Sequence, residues 1–161
     1  MNRHTIRLLI AMVLGGIAGS LGAAERWETL QAIHLIENPR NSPQPGSHGE
    51  LGAYQFRHST WRMHTRKPFR SALVRAHADE VALAHYAWIC SELQRQGLPA
   101  TTFNIAMAWN AGVGSVTSGR VPRVSRQYAQ RVVNIARDLR RSQIAASIAE
   151  RTPMERIVLS P

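Results

Sequence analysis

Apolar side chains recur at three- and four-residue steps over residues 25–37, where Trp27, Leu30, Ile33 and Glu37 share one face, so this segment is expected to be a helix. Pro39 stops it at Glu37 or Asn38, because proline pushes the preceding residue out of the α region. Residues 38–52 carry Pro39, Pro43, Pro45, Gly46, Gly49 and Gly52, which is turn chemistry. Ala53-Tyr54-Gln55-Phe56 follows as a candidate short strand, giving at most a small hairpin. A short helix is expected over 59–65, then Pro68, then a longer helix centred on 79–96 that Gly97 and Pro99 end. Its apolar face carries Val81, His85, Trp88 and Glu92, flanked by Ala84, Ile89 and Leu93. Thr101 or Thr102 caps a segment, 103–111, that is apolar almost all round and is expected to be central. Gly112 and Gly114 end it, and a polar loop with Pro122 follows. Ser125 then caps a last helix with Tyr128, Val132, Ile135 and Leu139 on one stripe. Beyond Arg141 the pattern weakens and Pro153 limits further helix, so 142–161 is expected to be a tail, partly disordered or packed as a short amphipathic segment. There is no internal repeat and no low-complexity tract. The pattern describes an α+β domain that is predominantly α-helical.

The first 24 residues stand apart. Arg3 and Arg7 precede an apolar stretch from Leu8 to Ile17, and Gly22-Ala23-Ala24 forms a small-residue cleavage site, the pattern of a secretory signal peptide. Gly15, Gly16, Gly19 and Ser20 interrupt the stretch, which argues against a membrane anchor, and no cysteine is nearby to accept lipid. The expected organisation is therefore a signal over 1–24, one catalytic domain over 25–141 and a tail over 142–161, in a monomeric protein exported to the periplasm or the extracellular space. No stable membrane span remains after cleavage. The full 161 residues carry a formal charge of +10, or +8 without Arg3 and Arg7, which implies an anionic partner. Basicity often signals nucleic acid, but in an exported chain the same field suits anionic cell-wall polymers or membrane surfaces. Cys90, the single cysteine, excludes an internal disulfide and reads as a small hydrophobe in the run Ala87-Trp88-Ile89-Cys90.

Candidate chemistry begins at Glu37, one and two turns beyond Ile33 and Leu30 at a helix C-terminus. Apolar neighbours and the negative end of the helix dipole both raise a carboxyl pKa, which keeps an acid protonated near neutrality. Cleaving a glycosidic bond needs such an acid, because an unprotonated alkoxide leaves poorly. By position alone the simpler reading of Glu37, a solvated helix end, is the favoured one.

Four ordered segments change that balance: Ile36-Glu37-Asn38, Gly49-Glu50-Leu51-Gly52-Ala53-Tyr54-Gln55, Ala108-Trp109-Asn110-Ala111-Gly112, and Tyr128-Ala129-Gln130-Arg131-Val132. Together they resemble the signature of lysozyme-like lytic transglycosylases: a helix-ending glutamate, a G-x-x-G-x-x-Q turn, a Y-N-A-G segment and a tyrosine opening a late helix. The resemblance covers roughly residues 27–136. It implies a lysozyme-like fold, no cofactor, and cleavage of peptidoglycan glycan strands between N-acetylmuramic acid and N-acetylglucosamine. Glu37 matches the family's catalytic acid/base, and Tyr128 the tyrosine that bonds it or the substrate. Tyr54 and Gln55 match the turn lining the subsites, and Asn110 the asparagine beside the cleft, with Trp109 replacing the usual tyrosine.

Glu50 departs from the family pattern, which has a small or apolar residue there, and resembles the loop acid of goose-type and phage-type lysozymes. Two readings stay open. Facing Glu37, Glu50 positions a water for hydrolysis and yields a reducing sugar. Otherwise it pairs with Arg40 or Arg57, and Glu37 alone produces an anhydro sugar. His48, beside it, is a candidate for touching sugar or tuning the carboxylate. Histidines 34, 48, 58, 64, 77 and 85 fit no metal-ligand frame and are expected at the surface or cleft. Among Trp27, Trp61, Trp88 and Trp109, Trp88 is expected in the core and Trp109 at the cleft edge. The arginines from Arg120 to Arg141 read as a solvated face, with attraction to wall polymer as an added role. Two competing classes are a non-catalytic glycan-binding module of an envelope assembly and a basic nucleic-acid binder. The signal argues against the latter, and no nucleic-acid partner is expected.

Overall fold

Apolar residues at helical spacing have to bury one face, and most of this chain solves that with helices. The computed structural model describes residues 25–158, with side chains through Glu150; the expected signal over 1–24 lies outside the described residues. Helix α1 covers 25–37, α2 is His58–His64, and a 3-10 turn over Phe69–Leu73 leads into α3, Arg75–Arg95. Then come α4, Thr102–Ala111, α5, Val113–Thr117, and α6, Arg123–Val158.

Leu30 and Ile33 of α1 are buried as their spacing requires, while Trp27, on the same expected stripe, is 46% exposed. Helix α4 is the central element: Ile105, Ala106, Met107 and Ala108 are buried, and it packs chiefly on α6. The Thr101 hydroxyl accepts the Asn104 amide at 3.2 Å, so of the two candidate caps it is Thr101 that serves. Helix α6 presents Tyr128, Ala129, Val132 and Ala136 to the core, with Ile135 and Leu139 half-buried. The two ends of α1 are tied to α6 in antiparallel sense. Arg140 grips the fully buried Glu28 through Nε and Nη2, at 3.0 and 2.6 Å, and Tyr128 reaches Glu37.

Four expectations are corrected. No strand forms among the described residues: Leu51 and Phe56 make a single antiparallel bridge, and 52–55 are a tight turn. The cause is backbone handedness, since Gly52 and Gln55 both sit at positive φ, +80° and +47°, and reverse the chain before a second bridge can form. Ser125 does not cap α6, which starts two residues earlier at Arg123; Ser125 is buried inside it. The stretch after Gly112, expected as loop, contains the short helix α5. Helix α6 also runs through the boundary expected at Arg141 and on to Val158, and its side chains from 141 to 150 are all exposed. No helix among the described residues is long and apolar enough to cross a membrane.

Candidate functional site

The last turn of α1 is held by the residue after Glu37. The Asn38 side chain donates to the carbonyls of Ser42 and Gly52 at 2.9 and 3.2 Å and accepts the Ser42 amide at 2.8 Å. A helix end is thereby pinned to both arms of the Pro/Gly-rich loop, which a short polar side chain can do and an apolar one cannot. Gly52 completes the joint. A Cβ there would lie 1.9 Å from the Ala72 carbonyl oxygen, so only glycine lets the loop close on the 3-10 turn.

These constraints set the floor of a groove of about 580 Å³. Glu37 lines it, together with Glu50, Tyr54 and Gln55 from the loop, Trp109 and Asn110 from α4, and Trp88 and His85 from α3. Of the seven residues singled out from sequence, six therefore share one cavity, and the seventh, Tyr128, donates its hydroxyl to Glu37 Oε1 at 2.8 Å. Burial raises the Glu37 pKa; Tyr128 and Arg131 oppose the rise, while the negative charge of Glu50 adds to it. The Tyr128 phenol is itself pushed well up by burial and by Glu37, so it is a hydrogen-bond donor over the physiological range.

Glu50 is bound to its own loop. Its Oε2 accepts the His48 amide at 2.8 Å, and its Oε1 lies 3.4 Å from both His48 Nδ1 and Arg57 Nε. Desolvation pushes this carboxyl up, but backbone amides, His48 and Arg57 together hold it below its ordinary value. Of the two anticipated arginines, Arg57 is the one in contact, and His48 acts on the carboxylate. Glu50 and Gln55 converge over Gly46: a Cβ on that residue would meet Glu50 Oε2 and Gln55 Oε1 at 2.6 Å each. Gly46 is thus part of the site, a role invisible in a stretch where every glycine looks like turn material.

Tyr54 lines the groove with its ring, but its hydroxyl is committed elsewhere. It is 2% exposed, and its hydroxyl donates to Asp79 Oδ1 at 2.6 Å, with the Arg75 guanidinium 5.6 Å from the ring centre. The ring is a wall of the groove, while its polar end serves the joint between the turn and α3. Arg75 also holds Asp79, at 2.7 Å. Gln55 is half-buried and donates its Nε2 to the Gly52 carbonyl at 3.1 Å, its positive φ turning the side chain toward the groove. Asn110 is exposed at the rim.

Trp88 packs against the core, as its apolar helical face suggested, but it also belongs to the groove, which sequence reasoning did not assign to it. It is half-buried and lines the groove, because α3 turns Ile89 and Leu93, not Trp88, fully inward. Two histidines expected at the surface or cleft, His34 and His85, are buried. His34 accommodates this by bonding Asn41 at 3.1 Å, and His85 by bonding His64, Nδ1 to Nε2, at 3.0 Å. His85 nevertheless lines the groove. Cys90 is half-buried against the core, as its apolar surroundings suggested. No group of three or more potential metal ligands gathers among the described residues. Compared with known proteins, the chain matches no family model, no curated protein and no solved structure.

Proposed function

We propose that the protein cleaves the glycan strands of bacterial peptidoglycan between N-acetylmuramic acid and N-acetylglucosamine, as a lysozyme-like lytic transglycosylase with Glu37 as its general acid and base. One observation carries this reading: a carboxyl group with a raised pKa, held by a tyrosine hydroxyl 2.8 Å away, opens into a groove walled by aromatic rings and polar side chains. Glu37 in its protonated form donates to the glycosidic oxygen as the C1–O bond breaks. The resulting carboxylate then removes the proton from the sugar's own C6 hydroxyl as that oxygen attacks C1, closing an anhydro ring and restoring the acid. Tyr128 keeps the carboxyl oriented through both steps.

The contacts of Glu50 favour this outcome over hydrolysis. Its two oxygens are engaged by the His48 amide, His48 Nδ1 and Arg57, which leaves it better suited to shaping the loop and raising the Glu37 pKa than to activating water. Peptidoglycan lies outside the cytoplasmic membrane, in keeping with an export signal in residues 1–24, and an exported, periplasmic or secreted location belongs to the same proposal. The test is incubation of the purified protein with isolated cell walls, followed by mass spectrometry of the soluble products. Anhydro-terminated muropeptides are expected, and none from Glu37→Gln. Reducing ends would replace the transglycosylase by a muramidase. Walls left intact by folded protein, with glycan still bound, would favour the binding module instead.

A further inference from the structure

Between two groove-lining tryptophans lies an imidazole whose presence the proposed bond cleavage does not require. His85 stacks on Trp88, with ring centres 5.5 Å apart and planes 11° from parallel, and meets Trp109 edge-on at 4.9 Å. It also presents an edge contact to Phe56 at 6.4 Å, so three aromatic rings surround a residue that is only 8% exposed. An apolar ring would fill this space without the cost of desolvating polar atoms. What histidine adds is direction: its Nδ1 is bonded to His64 Nε2 at 3.0 Å, which fixes the rotation of the ring as packing alone does not. Burial, and the neighbouring His64, keep His85 neutral, its pKa pushed down to about 4. Two neutral imidazoles share one bond with a single proton in it, one ring donating and the other accepting.

The consequence falls on the indoles. Trp88 and Trp109 come from different helices, α3 and α4, and both line the groove. Met63, more than half exposed, adds an apolar surface from α2 beside them. Flat apolar faces in a groove with a polar rim suit a ligand whose rings have an apolar C–H face and hydroxyl or amide edges, the description of a hexosamine unit. We propose that Trp88 and Trp109 form a two-indole stacking subsite for consecutive N-acetylhexosamine rings, and that His85, oriented by His64, is the positioning residue that sets the two indoles. The proposal rests on the glycan-cleaving reading for its substrate class and assigns the α2–α3 wall, which that reading leaves without a role.

Tryptophan fluorescence of the full chain bearing Glu37→Gln, titrated with tetra-N-acetylchitotetraose, tests it without turnover. Saturable change in emission is expected, weakened about tenfold by Trp88→Ala and about threefold or less by Trp88→Phe, which keeps a flat ring. His64→Leu is expected to weaken binding to a similar degree as Trp88→Ala, and His64→Gln, which can still bond His85, to restore most of it. Circular dichroism and melting confirm that each variant is folded, and the Trp88→Phe and His64→Gln variants keep the test decisive if the harsher ones do not fold. With the Glu37 acid intact, Trp88→Ala should raise KM with kcat little changed. No binding by the parent, unchanged affinity in Trp88→Ala, or full affinity in His64→Leu overturns the subsite. Binding that follows this pattern while the wild-type chain leaves walls intact overturns the cleavage reading and leaves the subsite standing.

Discussion

At the scale of single residues, the chemistry turns on how two neighbours set one proton. Tyr128 donates to Glu37 and stabilises its ionised form, whereas Glu50 repels that form, so the two push the Glu37 pKa in opposite directions. A general acid works below its pKa, and the rate falls as pH rises through it. Tyr128→Phe should therefore move the alkaline limb of the pH–rate profile upward, and Glu50→Gln should move it downward. Profiles of wall solubilisation between pH 4 and 9 check both; shifts in the same direction would contradict the electrostatic account. Tyr128→Phe should also lower the maximum rate about tenfold, because the carboxyl loses the bond that orients it. Gly46→Ala is a third case. The added methyl displaces the ends of two flexible side chains, Glu50 and Gln55, rather than backbone. Stability should change by less than about 1 kcal/mol while activity drops severalfold, which melting and rate measured on one sample can separate.

At the scale of elements, the site depends on a joint between helix and turn. Helix α1 delivers Glu37, but Asn38 and Gly52 decide where the loop lies above it. Gly52→Ala combines a positive φ with a 1.9 Å clash against the Ala72 carbonyl, and this neighbour is backbone that cannot swing aside. A loss of about 3 kcal/mol or more is expected in denaturant unfolding, a much larger effect than that of Gly46→Ala only six positions away. Helices α1 and α6 form the second joint. Arg140→Met would leave the Glu28 carboxylate buried without its partner, and about 2 kcal/mol of destabilisation is expected, since half of the arginine side chain is already in water.

For the whole molecule, pH dependence follows from histidines the fold buries. The His85 pKa is about 4 in the folded chain against 6.5 for an ordinary histidine, so the unfolded chain binds the proton first as pH falls. Stability is then full above about pH 6.5 and is lost progressively toward pH 4, by about 3 kcal/mol for this one group. The His64 pKa is lowered by burial as well and adds to the loss in the same direction. Melting temperatures measured across that window should fall steeply in the wild type and less steeply in His85→Phe. The arginines of α6, among them Arg123, Arg126, Arg131, Arg137 and Arg141, remain exposed along a helix that outruns the core, a long-range field suited to an anionic polymer.

The predominantly helical architecture, the buried centre at α4 and the stripe on α6 could be read from residue order, whereas the gathering of Glu37, Glu50, Gln55, Trp109 and Asn110 was what the family resemblance implied. Helical periodicity and glycine or proline punctuation are local signals, and they determine which face of an element seeks the core and roughly where it ends. Whether 53–56 pair as a strand was not local: it turned on positive φ at Gly52 and Gln55 and on the close approach of Ala72. The engagement of Glu50 by Arg57 rather than Arg40 followed from how the loop folds back. The direction of the Tyr54 hydroxyl and the placing of half-buried Trp88 at the groove depended on partners distant in the chain. So did the burial of His85, because a histidine on an apolar face can be hidden only if another element brings it a hydrogen bond, and His64 lies 21 residues earlier on α2. Sequence assigned the candidate acid; tertiary packing decided which neighbours set its proton and which rings wall its groove.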